Sequence, residues 1–193
     1  MKKRIVVGIS GATGAIYGIR ILETLKRSSD VETHLVLTEA AALTIREETE
    51  WKRDEVIKMA DCCHDINNIG ASISSGSFDI DGMIVAPCSI KSMSMIANSI
   101  NANLLIRAAD VMLKEKRNLV LVVRETPLHD GHLTLMTQLA RRGAMIYPPM
   151  PAFYSKPKTL DDLINHTVGR LLNQFGIDSH LVKKWSGIDS EDL

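Results

Sequence analysis

The chain has 193 residues, of which 45% are hydrophobic and 24% are charged, and its 23 basic and 23 acidic residues cancel to a net charge of zero. This length predicts one domain with a sizeable core, spanning residues 1–193. The balanced charge argues against an electrostatic partner such as nucleic acid or a membrane surface. No apolar run approaches the ~20 residues that cross a bilayer, and the N-terminal apolar run is too short for a signal peptide. We therefore expect a cytoplasmic protein.

Apolar runs that predict strands alternate along the chain with amphipathic stretches that predict helices. The predicted strands are 4–9, 31–37, 81–87, 119–123 and 144–147. The predicted helices are 15–26, 39–48, 54–60, 90–96, a stretch beginning near 107, 131–142 and a last helix that starts at Thr159. Residues 61–77 are predicted to form a loop. The alternation predicts a three-layer α/β/α sandwich on a mostly parallel sheet.

Charged residues follow the buried strand predicted at 119–123. Arg124 and Glu125 come directly after its last apolar residue. In open α/β sheets, ligands bind just beyond the carboxyl ends of the strands. The sequence therefore places a cation and a carboxylate where chemistry is expected, although a structural ion pair at the sheet edge is the alternative.

The motif GISGATG joins the first predicted strand to the first helix. Gly11 and Gly14 would allow close approach of a ligand, and the amides at the helix start favour an anion. The motif is not a G-x-G-x-x-G dinucleotide fingerprint, and the second strand ends in Thr38 rather than in an acidic residue. Hydroxyls at Ser10, Thr13 and Thr38 favour a phosphate or ribityl chain instead. The alternative is a turn that merely permits close packing of the helix on the sheet.

Two further segments carry hydroxyls near strand ends. Ser89 and Ser92 open the helix after the strand at 81–87, and residues 75–77 form a serine- and glycine-rich loop. Cys88 lies beside Ser89, and since no histidine is obviously paired with it, we expect it to pack in the core.

The cysteines do not predict a disulfide framework or a metal centre. Cys62 and Cys63 are adjacent, and with Cys88 they make an odd number. His64 follows the pair, but a zinc site needs spaced ligands, and the sequence shows no second cluster. We therefore expect reduced thiols and no bound metal.

Five motifs together resemble the UbiX-type flavin prenyltransferases, including the branch associated with phenolic or hydroxyarylic acid decarboxylases. The motifs are GISGATGAIYG, ISSGSFDIDGMIVAPCS, NLLIRAADVMLKE, LVLVVRETPL and PPMPAFY, and the resemblance covers about residues 4–187. It implies a flavodoxin-like or Rossmann-like domain that binds FMN and assembles through trimers into a dodecamer. The implied activity is transfer of a dimethylallyl group from dimethylallyl monophosphate to N5 and C6 of reduced FMN. The product, prenylated FMN, would serve a UbiD-type decarboxylase as a downstream partner.

The resemblance also implies roles for individual residues. The FMN-binding set would be Gly11, Ala12, Thr13, Thr38, Ser89, Ile90, Lys91, Ser92 and Arg124. The set around the prenyl phosphate would be Ser75, Gly76, Arg107, Lys114, Arg124, Tyr154, Arg170 and Trp185, the last on a C-terminal segment, about 176–193, that reaches over a neighbouring subunit. The implied catalytic residues are Glu125, Lys114, Tyr154 and Glu48, with Glu125 as the acid toward the leaving phosphate and Glu48 handling a proton during ring closure.

The paired aspartates Asp161 and Asp162 fit a helix N-terminus better than a magnesium-binding motif. We therefore expect metal-independent chemistry in which Lys114, Arg124 and Arg170 neutralise the phosphate.

Two other functions stay open. One is an FMN-dependent cysteine decarboxylase of the same fold, which the lack of a histidine in residues 41–48 disfavours. The other is an FMN-binding accessory subunit of a decarboxylase, which would not need the charged set. Taken singly, each of these residues also has a structural alternative. Lys114 could lie at a solvated helix end, Tyr154 could pack beneath the proline-rich loop, and Arg170 could be an ordinary surface side chain.

Overall fold

A computed structural model describes residues 2–182 and shows a six-stranded sheet in the order β3-β2-β1-β4-β5-β6, with every pairing parallel. The strands are β1 (Lys3–Ile9), β2 (Val31–Leu37), β3 (Cys62–His64), β4 (Gly82–Cys88), β5 (Asn118–Val123) and β6 (Ala144–Ile146). The helices are α1 (Ala15–Lys26), α2 (Glu39–Glu48), α3 (Arg53–Ile57), α4 (Ile90–Ala97), α5 (Leu104–Lys114), α6 (Asp130–Arg141) and α7 (Leu160–Asn173). Without the edge strand β3, the order is that of a flavodoxin-like sheet. The predicted α/β/α sandwich is confirmed.

Two apolar layers cover the two faces of the sheet. Because successive strand residues point to opposite faces, Val7 packs in the layer that contains Ile19 of α1 and Leu171 of α7. Its neighbour Val6 packs in the other layer with Leu105 of α5. Burying each such side chain contributes roughly 1.5–3 kcal/mol before entropic costs. The continuous apolar runs in the sequence reflect this burial on both faces.

The prediction of a loop throughout residues 61–77 is wrong at its start. β3 lies within this range and pairs with β2, with His34 opposite Cys62. Pattern analysis missed β3 because it is three residues long, polar, and hydrogen-bonded to one neighbour only. Short polar edge strands carry no periodic apolar signal.

The start of α7 confirms the helix-terminus interpretation of the paired aspartates. The Thr159 hydroxyl accepts the Asp162 amide at 3.1 Å, and the Asp162 carboxylate accepts the Thr159 amide at 2.9 Å. Asp161 instead accepts a hydrogen bond from Arg20 of α1 at 2.9 Å. Both carboxylates are therefore engaged in capping α7 and in joining it to α1. Among residues 2–182, no helix is both long enough and apolar enough to cross a bilayer.

Candidate functional site

The direction in which strands are added reverses between β1 and β4, so the loops after these strands diverge to form a crevice. A pocket of about 460 Å³ lies there, and five of the predicted FMN-binding residues line it: Gly11, Thr38, Ser89, Lys91 and Ser92. A second pocket of about 390 Å³ shares Thr38 with the first and extends toward β3. The topological switch point therefore coincides with the predicted cofactor site.

Ser10 holds the two loops of the crevice side by side. Its hydroxyl donates to the Pro87 carbonyl at 2.9 Å and accepts the Ser89 amide at 2.8 Å. The side chain is 1% exposed. The expectation that this hydroxyl faces a ligand is therefore wrong, because burial and these two bonds make it a link between the ends of β1 and β4.

Gly11 is required by a close approach of the glycine-rich turn to α2. A Cβ atom at this position would lie 2.3 Å from the Ala40 Cβ and 3.1 Å from the Ala40 carbonyl carbon. Since both Gly11 and Ala40 line the larger pocket, the contact sets the shape of one wall. The glycine thus has a packing reason as well as a place in the candidate site.

Two helices begin at the pocket, and hydroxyl groups cap both of them. Thr38 accepts the Ala41 amide at 3.1 Å at the start of α2. Ser89 accepts the Ser92 amide at 3.2 Å at the start of α4, and its hydroxyl contacts that of Ser92 at 3.2 Å. Helix N-termini favour negative charge, and Lys91 adds a cation. The pocket therefore suits a ligand that carries a phosphate and hydroxyl groups.

The first amides of α1 are occupied by a carboxylate of the chain itself. Glu48, the last residue of α2, accepts the Gly14 amide at 2.7 Å and the Ala15 amide at 3.2 Å through the same oxygen. The sequence predicted that an anion binds at the start of this helix. In the structure, that anion is the carboxylate of Glu48. Glu48 lies next to the glycine-rich turn, close to the predicted cofactor site.

The remaining predicted FMN residues do not line the larger pocket. Ala12 and Thr13 lie in the glycine-rich turn, with the Ala12 amide donating to the Ser10 carbonyl. Ile90, the first residue of α4, packs against the core. Arg124 follows β5, and its amide donates to the Cys88 carbonyl at 3.1 Å, which places its backbone beside the β4 loop.

Cys88 has no accessible surface, and burial raises the pKa of its thiol to about 12. The thiol is therefore protonated near neutral pH and is a poor nucleophile. The predicted packing role is confirmed.

Arg124 and Glu125 are exposed at the carboxyl edge of the sheet. A Glu125 carboxylate oxygen accepts the Thr126 amide at 3.0 Å. Within residues 2–182, the two side chains form no ion pair with each other. The structural ion-pair alternative is thus not what the structure shows, and both groups remain open to a ligand.

Tyr154 and Arg170 lie near the end of β6 together with two residues that the sequence analysis missed. The Tyr154 hydroxyl is 3.1 Å from His166 Nε2. Burial raises the pKa of the Tyr147 hydroxyl, and the positive charge of nearby Arg170 offsets part of that rise. Burial, and then the positive charge of Arg170, lower the pKa of His166. The sequence spacing could have identified His166, because it precedes Arg170 by four residues and so lies on the same face of the helix.

Lys114 and Gly76 meet near the amino end of β5, opposite the carboxyl end that Arg124 and Glu125 follow. Lys114 is ion-paired with Glu115 just before β5 begins. A Cβ at Gly76 would lie 2.8 Å from Lys114 Nζ, and Arg117 holds the Gly76 carbonyl at 2.8 Å. β5 has six residues, which span about 20 Å between Lys114 and Arg124. Within one chain, Lys114 and Arg124 are therefore too far apart to contact the same phosphate group.

Ser75 and Arg107 lie on the same side of the molecule as Lys114 and Gly76. Ser75 precedes Gly76, and its hydroxyl contacts that of Ser77 at 2.9 Å. The guanidinium of Arg107 donates to the Ser74 carbonyl at 3.1 Å and pairs with Asp110 at 3.3 Å. Trp185 and most of the C-terminal segment lie outside the described residues.

The flavodoxin-like sheet and its phosphate-compatible crevice define the class of flavin-binding α/β proteins, and the family model described as Flavoprotein matches residues 1–172. A flavin prenyltransferase UbiX of Thauera aromatica is 59% identical over 190 residues, with 98% of this chain and 97% of the relative covered. The chain belongs to the family of UbiX flavin prenyltransferases.

Two solved structures resemble this chain over nearly its whole length. A UbiX protein in complex with FMN and dimethylallyl pyrophosphate has a TM-score of 0.95 and 48% identity, with 98% of this chain and 100% of that chain covered. A dodecameric FMN-dependent UbiX-like decarboxylase from Escherichia coli O157:H7 has a TM-score of 0.94 and 47% identity, with 95% and 100% covered. The family resemblance and the fold predicted from the sequence are confirmed.

Proposed function

We propose that this chain is a flavin prenyltransferase that moves a dimethylallyl group from dimethylallyl monophosphate to N5 and C6 of reduced FMN, giving prenylated FMN. The observation that carries the proposal is the pocket at the switch point, which five predicted cofactor residues line. Membership of the UbiX family supports the reaction type.

The larger pocket fits FMN by volume and by chemistry. Its roughly 460 Å³ lies within the range of small-molecule cofactor sites. Thr38, Ser89 and Ser92 offer hydroxyls, the starts of α2 and α4 offer positive helix ends, and Lys91 offers a cation. When bound, reduced FMN would supply the nucleophilic positions to which the prenyl group is attached.

The charged residues at the carboxyl edge suit the other half of the reaction. Breaking the allylic C–O bond leaves negative charge on the phosphate, which Arg124 and Arg170 would stabilise as cations and Tyr154 as a hydrogen-bond donor. Glu125 would pass a proton to the departing phosphate. Because these side chains would neutralise the phosphate, we propose that the transfer step needs no metal.

We further propose that the complete site forms between copies of the chain. Lys114, Ser75, Gly76 and Arg107 of one copy would meet Arg124, Glu125, Tyr154 and Arg170 of another. The separation of about 20 Å across β5 supports this arrangement, and so does the dodecameric relative.

Exposed apolar side chains beside the proline-rich loop offer a contact face for that assembly. Met150 is 73% exposed, Phe153 72% and Leu160 78%. Exposed large apolar side chains of this kind are common at protein interfaces. We infer a trimer-based dodecamer. The expectation that the C-terminal segment from about residue 176 reaches over a neighbouring subunit is wrong for residues 176–182, because Ile177 and Leu181 pack against the core of their own chain.

The product would be consumed by a UbiD-type decarboxylase, and we place both proteins in the cytoplasm, which the free thiols at positions 62, 63 and 88 support. The alternative is an FMN-binding accessory subunit. The accessory role would not require Lys114, Arg124, Glu125, Tyr154 and Arg170, so the presence of this set favours the enzyme.

The decisive experiment incubates the purified protein anaerobically with reduced FMN and dimethylallyl monophosphate and identifies the flavin by mass spectrometry. A flavin heavier by one five-carbon unit, absent without protein, is the expected result. Unmodified FMN that co-purifies, with the diphosphate donor also inactive, would overturn the proposal in favour of the accessory subunit.

A further inference from the structure

The edge of the sheet formed by β2 and β3 gathers side chains that are far apart in the sequence. β3 lies parallel to β2 with His34 opposite Cys62. Since alternate residues of a strand share a face, Glu32, His34, Cys62 and His64 point to the same side of the sheet, and Cys63 points to the other. The sequence showed no second ligand cluster near Cys62 because that cluster lies on β2.

Three of these residues present metal-ligand atoms at close range. A carboxylate oxygen of Glu32, a ring nitrogen of His34 and the sulfur of Cys62 all lie within 4.8 Å of one another. Glu32 Oε1 is 3.0 Å from His34 Nε2, and the His34 side chain is only 3% exposed, so its ring is held in place. Carboxylate, imidazole and thiolate together are the ligands of zinc rather than of calcium or magnesium.

We propose that Glu32, His34 and Cys62 bind one Zn²⁺ ion at the β2–β3 edge, with water as the fourth ligand. Zinc bonds are ~2.0–2.3 Å long, so the three side chains would move closer together around the ion, and Cys62 on the edge strand is accessible to it. On binding, the S–H bond of Cys62 breaks, the thiolate bonds to zinc and the proton goes to solvent. The site does not depend on the proposed prenyl transfer.

His64 supplies the support that a zinc-binding histidine needs. Its Nε2 is 2.9 Å from His34 Nδ1, and the two ring planes lie within 11° of each other with centroids 5.2 Å apart. Metal-binding histidines usually engage the ring nitrogen that does not face the metal in a hydrogen bond, which fixes the ring orientation. The bond from Nδ1 to His64 leaves Nε2 directed toward Glu32.

Arg4 competes with the metal for Glu32. Its Nε lies 3.3 Å from Glu32 Oε1, and its guanidinium carbon lies 4.8 Å from the centre of the Phe78 ring. Zinc binding displaces Arg4 from the carboxylate while leaving the contact with Phe78. Removing this cation should therefore strengthen zinc binding.

The test uses Co²⁺ as a spectroscopic substitute for zinc in the full chain, followed by displacement with Zn²⁺. Cys62→Ser is the informative variant, and Cys63→Ser is its matched control because that side chain lies on the other face. We expect a near-ultraviolet thiolate-to-cobalt band at one equivalent in the wild type and in Cys63→Ser, but not in Cys62→Ser. A band that persists in Cys62→Ser, disappears in both variants, or is absent from the wild type overturns the site.

Two further variants test the surroundings of the ion. His64→Ala should weaken Co²⁺ binding by about 10- to 100-fold, the usual cost of losing such a supporting hydrogen bond, and Arg4→Gln should tighten it. An unchanged affinity in His64→Ala, or weaker binding in Arg4→Gln, contradicts the assignment.

A stability measurement gives an independent readout. Zn²⁺ should raise the unfolding temperature of the wild type and of Cys63→Ser, but not that of Cys62→Ser, because only a bound ion stabilises the folded state by mass action. An equal rise in both variants counts against Cys62 as a ligand.

Discussion

Glu48 Oε2 lies 2.7 Å from the amide nitrogen of Gly14, so the end of α2 caps the beginning of α1. The carboxylate thereby neutralises the positive end of α1 beside the glycine-rich turn. The same residue is the one to which family resemblance assigns a proton during ring closure, and two variants separate these roles.

Glu48→Ala should lower the free energy of unfolding by about 1 kcal/mol, the usual cost of a lost helix cap. Glu48→Gln keeps an acceptor oxygen and should lose about half as much. Urea unfolding measures both, with Glu47→Gln, an exposed neighbour paired with Arg46, as the control. If Glu48 handles a proton, Glu48→Gln also loses prenyl transfer, whereas wild-type turnover in that variant leaves capping as its role.

Glu125→Gln should bind FMN like the wild type and lose turnover, because the amide cannot pass a proton to the leaving phosphate. Glu125 is exposed and bonded to the Thr126 amide, so the exchange should not disturb the fold. Flavin titration and single-turnover assays measure the two properties, again against Glu47→Gln. Undiminished turnover would remove Glu125 as the acid.

Mixing two inactive variants tests whether copies share the site. Lys114→Ala and Arg124→Ala should each abolish most activity, since each removes a cation from the phosphate site. If every site takes Lys114 from one copy and Arg124 from another, random co-assembly in equal amounts restores both side chains in about a quarter of the sites. The readout is activity of the co-expressed mixture; activity no higher than that of either variant alone would place both residues in sites built from one chain.

Gly11→Ala should destabilise the protein by roughly 1–3 kcal/mol and weaken FMN binding, because the added methyl group would meet Ala40 at 2.3 Å. Gly70→Ala is the matched control, since the nearest atom to its Cβ would be 3.5 Å away. Thermal unfolding and flavin fluorescence follow the two effects. If the two variants have similar stability and similar FMN affinity, the turn accommodates the added methyl group without strain.

Acidification should destabilise the fold through His166. Burial and Arg170 hold the pKa of His166 below its ordinary value of 6.5 in the folded protein. As the pH falls through that value, the unfolded chain takes up a proton that the folded chain resists, so the free energy of unfolding declines. Urea unfolding between pH 8 and pH 5 should show a smaller decline in His166→Gln than in the wild type. His180→Gln is the control, because His180 is exposed. If His166→Gln leaves the pH dependence of the free energy of unfolding unchanged, His166 does not cause the decline.

The sequence by itself determined the alternation of five of the strands with the helices along the chain, and the sheet edge at which function was expected. These features come from local signals: continuous apolar runs such as 119–123, helix starts such as Thr159, and charges directly after a strand such as Arg124. Local patterns of this kind survive in any tertiary arrangement because backbone geometry and burial fix their period.

Only the tertiary structure decided which side chains meet. It turned Ser10 inward, joined Glu48 to Gly14, and made an edge strand of Cys62–His64. Contacts between strands depend on order and register, which packing of the whole sheet fixes and no short stretch of sequence carries.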